Sequence, residues 1–409
     1  MKQNFNERID RSNTEAAKWE RYGKEAGSRL IPMWLADMEL PCSSAVREAL
    51  IRRAEHPIYG YTDRDASYYR LFAEWFHEQH NYQVTEEDVI LSTGVMYSAA
   101  CAIRLFSREG DGVTVLSPAY APFIHAVRHG RRRLYRSELR DTGSRFEIDF
   151  CDLEEKLKKA RLFLLCNPHN PTGRVFTEEE LERIAGLCEK YGVTIISDEI
   201  HCDITYPGAH FTPIMNVNPW TRENTIACVS PTKTFNLAGL KISAVFIKNR
   251  KMNELFRKEA AAVGISSINL FAMCAVKAAY TRSSGWRQEA MEYLAGNRQA
   301  AAVFLRERLP EIAFYQPEGT YFYWLDCSGI KDAPSLGEGF LKQGLILSPG
   351  GEFAESSQSF YRMNFACSAG MLEEGLNTME MVIRNWNKNS NIHHSAQIDL
   401  QTQVFAAGN

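Results

Sequence analysis

Three short apolar segments in the middle of the chain, each followed by polar residues, constrain the fold more than any other feature. Residues 162–166, 193–196 and 225–229 have the length and composition of buried strands, and amphipathic stretches lie in this part of the chain. The alternation predicts βαβ units and a mostly parallel sheet. Ligands of open α/β sheets bind beyond the carboxyl ends of the strands. The polar residues after these segments are therefore the first candidates for a functional site.

The segment between the first two strands predicts a helix with clear ends. The turn-rich stretch 167–173 closes the first strand. Thr177 and Glu180 have the spacing of a capping box, and the helix should end near Tyr191-Gly192. The apolar residues that share one face of this helix are Leu181, Ile184, Ala185, Leu187 and Cys188.

The length of 409 residues predicts two domains, because one hydrophobic core rarely serves so long a chain. Residues 46–285 carry the alternating pattern and should form a large domain. Residues 286–388 contain helices followed by short strands, and with residues 1–45 they should form a smaller α+β domain. Residues 389–409 are polar and poorly periodic, which favours a flexible tail.

The composition is that of a globular protein, with 45% hydrophobic and 24% charged residues and a net charge of −3. This charge argues against a nucleic-acid surface. The chain has no apolar run near the ~20 residues of a membrane span, and its start lacks the apolar core of a signal peptide. The ten cysteines include no C-x-x-C pair. We expect reduced thiols in a cytoplasmic protein.

Lys233 is the candidate for covalent chemistry, and it lies just past the third apolar segment, in Ser-Pro-Thr-Lys at 230–233. A partly desolvated lysine amine can form an imine with an aldehyde cofactor, whereas Lys233 considered alone is more typical of a surface residue. The hydroxyls of Ser230 and Thr232 suit a phosphate group, and Lys241 would add a positive charge. These neighbours favour a phosphorylated aldehyde as the ligand.

Asp198 and Asn170 follow the other two apolar segments. Asp198 either caps the next segment or pairs with a ring nitrogen of the cofactor, keeping the ring protonated so that it can accept electrons from Cα. Asn170 either belongs to a simple turn or donates a hydrogen bond to a phenolic ring oxygen. The order of the strands predicts that Asn170, Asp198 and Lys233 converge.

A glycine turn and two further side chains complete the candidate site. Gly94, Val95 and Met96 follow a predicted strand and open an Ala-rich helix, whose exposed amides would bind an anion. Tyr120 either stacks on the cofactor ring or is a core tyrosine. Arg362 either binds a substrate carboxylate through its guanidinium fork or lies on the wet face of a strand.

Other cofactor classes lack their motifs in this sequence. G-x-G-x-x-G and G-x-x-x-x-G-K-[ST] are absent, which argues against dinucleotide and P-loop sites. His125 and His129 are four residues apart without the H-E-x-x-H pattern, so no metal site is expected.

The motifs together, in this order, resemble the fold-type I pyridoxal 5′-phosphate (PLP) enzymes, the aspartate aminotransferase superfamily. The resemblance covers nearly all of residues 1–388 and rests on 167–173, Ser-x-x-Lys at 230–233 and Arg362-x-Asn-x-Ala. It implies an α/β fold with a mostly parallel, seven-stranded-type sheet in the large domain, a smaller α+β domain, and PLP linked to Lys233.

Within the superfamily the chain resembles the MalY/PatB branch of cystathionine β-lyases, or C–S lyases. His201 stands where typical aminotransferases have a tyrosine that bonds the phenolic oxygen of the cofactor. Met96 and Tyr97 depart from the smaller residues common in that loop. The stretches that carry this narrower match are 32–38, 59–61, 197–201 and 233–236.

The narrower resemblance also implies partners and an activity. It implies a homodimer in which Tyr61 reaches the phosphate of the neighbouring subunit, with Trp34, Tyr120 and Arg362 on the substrate side. The expected reaction is α,β-elimination from an S-substituted cysteine, with Lys233 as general base. An aminotransferase is the first alternative, since it shares every step up to loss of the α-proton. A PLP-binding regulator acting through a protein partner is the second alternative.

Overall fold

The computed structural model describes residues 3–26, 30–63, 65–265 and 268–406. The chain forms two compact units. The predicted large domain, 46–285, falls inside unit 1, and the exact domain limits remain a prediction. Unit 1 comprises residues 1–5, 40–295 and 317–322, and unit 2 comprises 6–39, 296–316 and 323–409.

The described residues form fourteen α-helices. They are α1 Ala17–Ala26, α2 Ser44–Glu55, α3 Ala66–His80, α4 Val95–Phe106, α5 Ala121–His129, α6 Phe150–Leu157, α7 Glu178–Tyr191, α8 Pro219–Asn224, α9 Pro231–Thr234, α10 Arg250–Ala262, α11 Leu270–Arg282, α12 Ser284–Arg308, α13 Leu336–Lys342 and α14 Ala369–Ala406. None of the helices in the described part of the chain is both long enough and apolar enough to cross a membrane.

The strands of the described residues are mostly four to seven residues long. They are β1 Ile31–Pro32, β2 Val89–Ser92, β3 Gly112–Ser117, β4 Arg133–Asp141, β5 Phe146–Ile148, β6 Ala160–Cys166, β7 Thr194–Asp198, β8 Thr225–Val229, β9 Ser243–Phe246, β10 Ala313–Phe314, β11 Phe322–Asp326, β12 Leu345–Ile346, β13 Ser348–Pro349 and β14 Phe360–Asn364.

Unit 1 is built around an eight-stranded sheet in the order β2-β9-β8-β7-β6-β3-β4-β5. The five strands from β8 to β4 are parallel neighbours, while β9 is antiparallel to β2 and β8. The mostly parallel sheet predicted from the sequence is therefore confirmed. It has one strand more than expected, because the short β5 pairs antiparallel with the edge strand β4.

The core of unit 1 lies on both faces of this sheet. Every residue of β3, β7 and β8 is buried, as expected for parallel strands covered by helices on both sides. Helix α7 begins with the predicted capping box of Thr177 and Glu180 and ends at Gly192. Four of its five predicted core residues are buried, namely Leu181, Ile184, Ala185 and Cys188.

Unit 2 contains a four-stranded sheet in the order β10-β11-β14-β13 and the parallel pair β1-β12. Helix α14 continues to Ala406, so the backbone of 389–406 is helical. Residues 407–409 lie outside the described residues, and the flexibility of the tail stays a prediction.

Candidate cofactor site

The carboxyl edge of the unit 1 sheet brings most of the predicted site residues together. In the register of the central strands, Cys166 lies opposite Asp198, and Asp198 lies opposite Cys228. The strands that precede Asn170 and Lys233 and the strand that ends in Asp198 therefore end side by side at the same edge of the sheet. Two further predicted features share this edge, because β2 ends before Gly94 and the antiparallel β9 begins just after Lys241.

Lys233 lies in the single-turn helix α9, directly beyond β8. Ser230 caps this turn by accepting a hydrogen bond from the amide of Thr232 at 3.1 Å. The Ser230 hydroxyl donates to the carbonyl of Ile242 at 2.7 Å, and it lies 2.7 Å from the hydroxyl of Thr232. These bonds tie the lysine-bearing turn to the residue before β9.

Asp198 is a buried carboxylate, 5% exposed, at the end of β7. Burial raises its pKa to about 7, and the hydrogen bond from the Ile200 amide and the positive charge of Lys233 oppose this rise without cancelling it. Its Oδ1 accepts the Ile200 amide at 3.0 Å, so it also caps the following turn. A buried carboxylate with so high a pKa is suited to a ligand that brings a cationic nitrogen.

Asn170 lies in a buried turn with several fixed bonds. The amide of Asn167 donates to the carbonyl of Asp198 at 3.0 Å, and the Asn167 side-chain oxygen accepts the Phe176 amide at 3.1 Å. Asn170 is 6% exposed, and with the half-buried Tyr120 it lines a small cavity of about 10 Å³. The structure therefore places Tyr120 beside Asn170 rather than in the deep core.

Gly94 is the N-cap residue just before helix α4, and its backbone angle of φ +156° is one that other residues rarely adopt. The first amides of a helix have no partners within it and favour an anion. The same side of unit 1 holds a cleft of about 760 Å³ lined by Thr93, Lys241 and the fully exposed Tyr61. A phosphate-binding role for this region fits its amides and its lysine.

His201 lies on the turn after β7, three residues beyond Asp198, and is 2% exposed. Its ring packs edge-on against Tyr321 and Phe322, with centroids 5.7 and 5.6 Å away. The two aromatic residues were not predicted as part of the site. Their sequence signal is only an apolar, strand-like segment, which does not indicate what they contact.

Unit 2 holds Arg362 together with Trp34. Arg362 is 4% exposed, so the alternative of an arginine on the wet face of a strand is wrong. Its Nη2 donates to the carbonyl of Trp34 at 2.8 Å and lies 3.2 Å from the hydroxyl of Ser348. The guanidinium also lies 4.9 Å from the ring centroid of Phe353. Packing and hydrogen bonds fix the orientation of this cation.

A buried ion cluster that sequence reasoning missed fixes the backbone around Trp34. Lys18 is 1% exposed, and its ammonium bonds the carbonyl of Asp37 at 2.9 Å and the carboxylate of Glu39 at 3.1 Å. The carbonyl of Lys18 accepts the indole N–H of Trp34 at 3.0 Å. Asn364 adds hydrogen bonds to the carbonyls of Leu35 and Asp37 at 2.7 and 2.8 Å.

Known proteins resemble this chain over nearly its whole length. The model of the family "Aminotransferase class I and II" matches residues 35–379. Cystathionine beta-lyase PatB of Bacillus subtilis is 36% identical over 93% of this chain and all of its own length. Protein MalY of Escherichia coli is 30% identical over 93% of this chain and 98% of its own length.

A solved structure shows the same fold. Cystalysin from Treponema denticola, which contains a pyridoxal 5′-phosphate cofactor, superposes with a TM-score of 0.91 at 28% identity. The match covers 94% of this chain and all of cystalysin. The family predicted from the motifs is confirmed, and the chain belongs to the class I and II aminotransferase family.

Proposed function

We propose that this protein is a PLP-dependent β-lyase that cleaves the carbon–sulfur bond of S-substituted cysteines such as cystathionine. The names of its relatives support this activity, since PatB is a cystathionine beta-lyase and cystalysin contains PLP. The observation that carries the proposal is the buried carboxylate of Asp198 at the ligand-binding edge of the sheet. Burial raises the pKa of Asp198, and the positive charge of Lys233 lowers it.

The residues present fit PLP chemically. Asp198 suits the ring nitrogen, Asn170 and His201 the phenolic oxygen, and Tyr120 the ring face. Ser230 already donates to the Ile242 carbonyl, so its hydroxyl would have to change partners to bond a phosphate. The remaining groups assigned to the phosphate are Gly94, Val95, Met96, Thr232, Lys241 and the neighbouring subunit's Tyr61.

PLP supplies an aldehyde that links reversibly to amines and a ring that accepts electrons from Cα. An ionised Asp198 would hold a proton on the ring nitrogen and so favour the acceptance of electrons by the ring. The Lys233 amine would act as general base and remove the α-proton of the bound substrate. Loss of the thiol from Cβ and consumption of one water would give thiol, pyruvate and ammonia.

Arg362 is assigned to the substrate α-carboxylate. This assignment rests on the family motif and on its burial and fixed bonding inside unit 2. A guanidinium held in one orientation binds a carboxylate through two parallel hydrogen bonds. Trp34, whose carbonyl accepts a hydrogen bond from Arg362, would lie beside the same substrate group.

The assembly and the compartment are further parts of the proposal. Tyr59 and Tyr61 expose 59% and 101% of their surface, and Ile58 exposes 67%. An apolar and aromatic surface of this kind suits a second copy of the chain, as expected for a homodimer. All ten cysteines are free thiols, which supports a reducing, cytoplasmic location.

The activity is tested by loading the purified protein with PLP and supplying L-cystathionine. We expect a visible absorption band that disappears on borohydride reduction, with the cofactor then covalently attached to Lys233, and equal amounts of pyruvate and thiol. Lys233→Ala is the control and should form neither product. Amination of a keto acid without pyruvate would favour the aminotransferase, and a protein that stays colourless with PLP would refute both activities.

A further inference from the structure

The turn that carries Lys233 is anchored at both ends by side chains. Helix α9 has only four residues, and the bond from the Phe235 amide to the Pro231 carbonyl at 2.9 Å closes its single turn. At its start, Ser230 bonds the carbonyl of Ile242. At its end, the Thr234 hydroxyl donates to Oδ2 of Asp203 at 2.7 Å. Since an isolated turn has little stability of its own, these anchors determine where it lies.

Asp203 is itself held firmly. It is 2% exposed, and the indole N–H of Trp75 donates to its Oδ2 at 3.3 Å. His80 Nε2 lies 2.8 Å from Oδ1, and a guanidinium nitrogen of Arg287 lies 3.9 Å from the same oxygen. Burial acts to raise the pKa of Asp203, but His80, Arg287 and Thr234 outweigh it, so the pKa is lowered. The acceptor of the Thr234 bond is thus a fixed, charged oxygen.

The position of Asp203 in the chain links two parts of the candidate site. It follows β7 on the same turn as His201 and five residues after Asp198. Its bond to Thr234 therefore joins the strand end that carries the proposed partner of the ring nitrogen to the turn that carries the proposed base. Hydrogen bonds to a charged acceptor are stronger than neutral ones.

We infer that Asp203 and Thr234 are positioning residues. They fix the position of the Lys233 amine relative to the Asp198 carboxylate, as proton transfer at Cα requires. This inference rests on the proposed role of Lys233 as general base. The physical reason is that proton transfer requires the donor and acceptor within hydrogen-bond reach. A misplacement of about 1 Å can lower a rate by about 100-fold.

A metal site is the competing interpretation of the same cluster. Among the described residues, His80, Cys202 and Asp203 offer ligand atoms within 4.8 Å of one another. Two features oppose a cation. Burial raises the pKa of the Cys202 thiol well above its usual value, and the Arg287 cation and the Thr234 and Trp75 donors already face Asp203.

The test compares Thr234→Val with Thr234→Ser in the full-length, PLP-loaded protein. Valine has the shape of threonine but lacks the hydroxyl, whereas serine keeps it. Thr114→Val is the matched control, because Thr114 is fully buried in β3 and its hydroxyl has no hydrogen-bond partner among the described residues. All three variants should fold and bind PLP.

With L-cystathionine, Thr234→Val should lower kcat by about 10- to 100-fold and leave KM within about twofold of the wild type. The kinetic isotope effect with α-deuterated cystathionine should rise, because proton removal becomes slower. Thr234→Ser and Thr114→Val should keep the wild-type kcat. A fall in kcat without a larger isotope effect, or a change in KM alone, would overturn the inference.

A second readout needs no turnover. The pH at which the visible band of the resting, PLP-loaded protein changes should move in Thr234→Val and not in Thr114→Val. Asp203→Asn should lower kcat as well, and adding Thr234→Val to it should lower kcat little further, because the charged acceptor of the Thr234 bond is already lost. Additive losses would contradict the inference.

The lyase proposal and this inference can fail separately. Exchange of the α-hydrogen of L-alanine in D₂O requires only proton removal and is shared by lyases and aminotransferases. If the wild type exchanges the α-hydrogen of L-alanine but releases no pyruvate from cystathionine, the lyase proposal alone is refuted. The effect of Thr234→Val on the exchange rate would still decide the inference. An exchange rate unaffected by Thr234→Val would refute the positioning role.

Discussion

Asp198 shows how one buried charge decides what a site can bind. The folded chain without its cofactor keeps a carboxyl group out of water with only partial compensation from Lys233 and the Ile200 amide. That arrangement lowers the stability of the folded protein without cofactor. It also strengthens the binding of any ligand that brings a cationic nitrogen to the carboxylate. The stability cost and the binding function therefore have the same physical origin.

Asp198→Asn should change the pH dependence of stability in a defined direction. Between pH 3.8 and about 7, the folded protein without PLP holds a proton on Asp198 that the unfolded chain releases. The contribution of this proton to the free energy of unfolding is full below pH 3.8 and is lost as the pH rises through about 7. Asparagine does not ionise, so the variant does not lose this contribution. From pH 4 to pH 8 its free energy of unfolding should therefore rise by up to about 4 kcal/mol relative to that of the wild type.

Urea unfolding of both proteins at several pH values, without PLP, measures this difference. Saturating PLP should favour the wild type instead, because asparagine offers no charge to the ring nitrogen. A stability difference that is constant from pH 4 to pH 8 would show that Asp198 does not titrate in this range.

At the scale of elements, the turn 167–173 depends on a close approach of two backbone segments. Gly173 has φ +72°, and a Cβ there would lie 2.4 Å from the Cβ of Pro317. The amide of Gly319 also donates to the carbonyl of Gly173 at 2.8 Å. The glycine that ends the turn motif is thus required both by its backbone angle and by the segment packed against it.

Gly173→Ala should destabilise unit 1 by about 2 kcal/mol or more, since a strained backbone angle costs about 1–3 kcal/mol and the clash adds to it. The variant should also weaken PLP binding, because Asn170 lies in the same turn. Gly186→Ala is the control, because Gly186 is within helix α7 with no atom near its Cβ position. Gly186→Ala should raise the free energy of unfolding by about 0.5–1 kcal/mol. Thermal unfolding of both variants measures the contrast, and equal melting temperatures would contradict it.

At the scale of the whole molecule, the exposed Tyr61 is explained if a second copy of the chain covers it. Its side chain is fully exposed and lines the same cleft as Lys241. A site completed by a neighbouring subunit would tie activity to assembly, because a monomer would lack one phosphate ligand.

Mixing two inactive variants tests this arrangement. If Tyr61 acts on the neighbouring subunit, hybrids of Lys233→Ala and Tyr61→Ala contain one intact site, and an equal mixture refolded together should recover about a quarter of wild-type activity. Lys233→Ala mixed with Asp198→Ala is the control and should recover none, because both residues belong to one subunit's site. No recovery in the first mixture would place Tyr61 in its own subunit's site.

The local parts of the fold were predictable because their signals are local. Residues within a few positions of each other suffice to predict a strand from its run of apolar residues and the ends of a helix from its capping and turn residues. Examples are the strand 225–229, the capping box of α7 and the end of α7 at Gly192. In the small domain, the apolar pattern of residues 320–325 also predicts a strand, but the observed strand is Phe322–Asp326. Thr320 has φ +65°, and its amide and carbonyl bond Ile204 and Tyr206. That backbone angle is imposed by residues more than 110 positions away.

The sequence by itself determined the order of strands and helices, the residue types at their ends, and hence the chemistry assembled at one edge of the sheet. Only the tertiary structure decided which buried polar groups are partners. Thr234 bonds an aspartate 31 residues away, and Arg362 bonds a carbonyl 328 residues away. An apolar pattern indicates which residues are buried, but the partner of a buried polar group depends on which segments the folded chain brings within 3 Å of it.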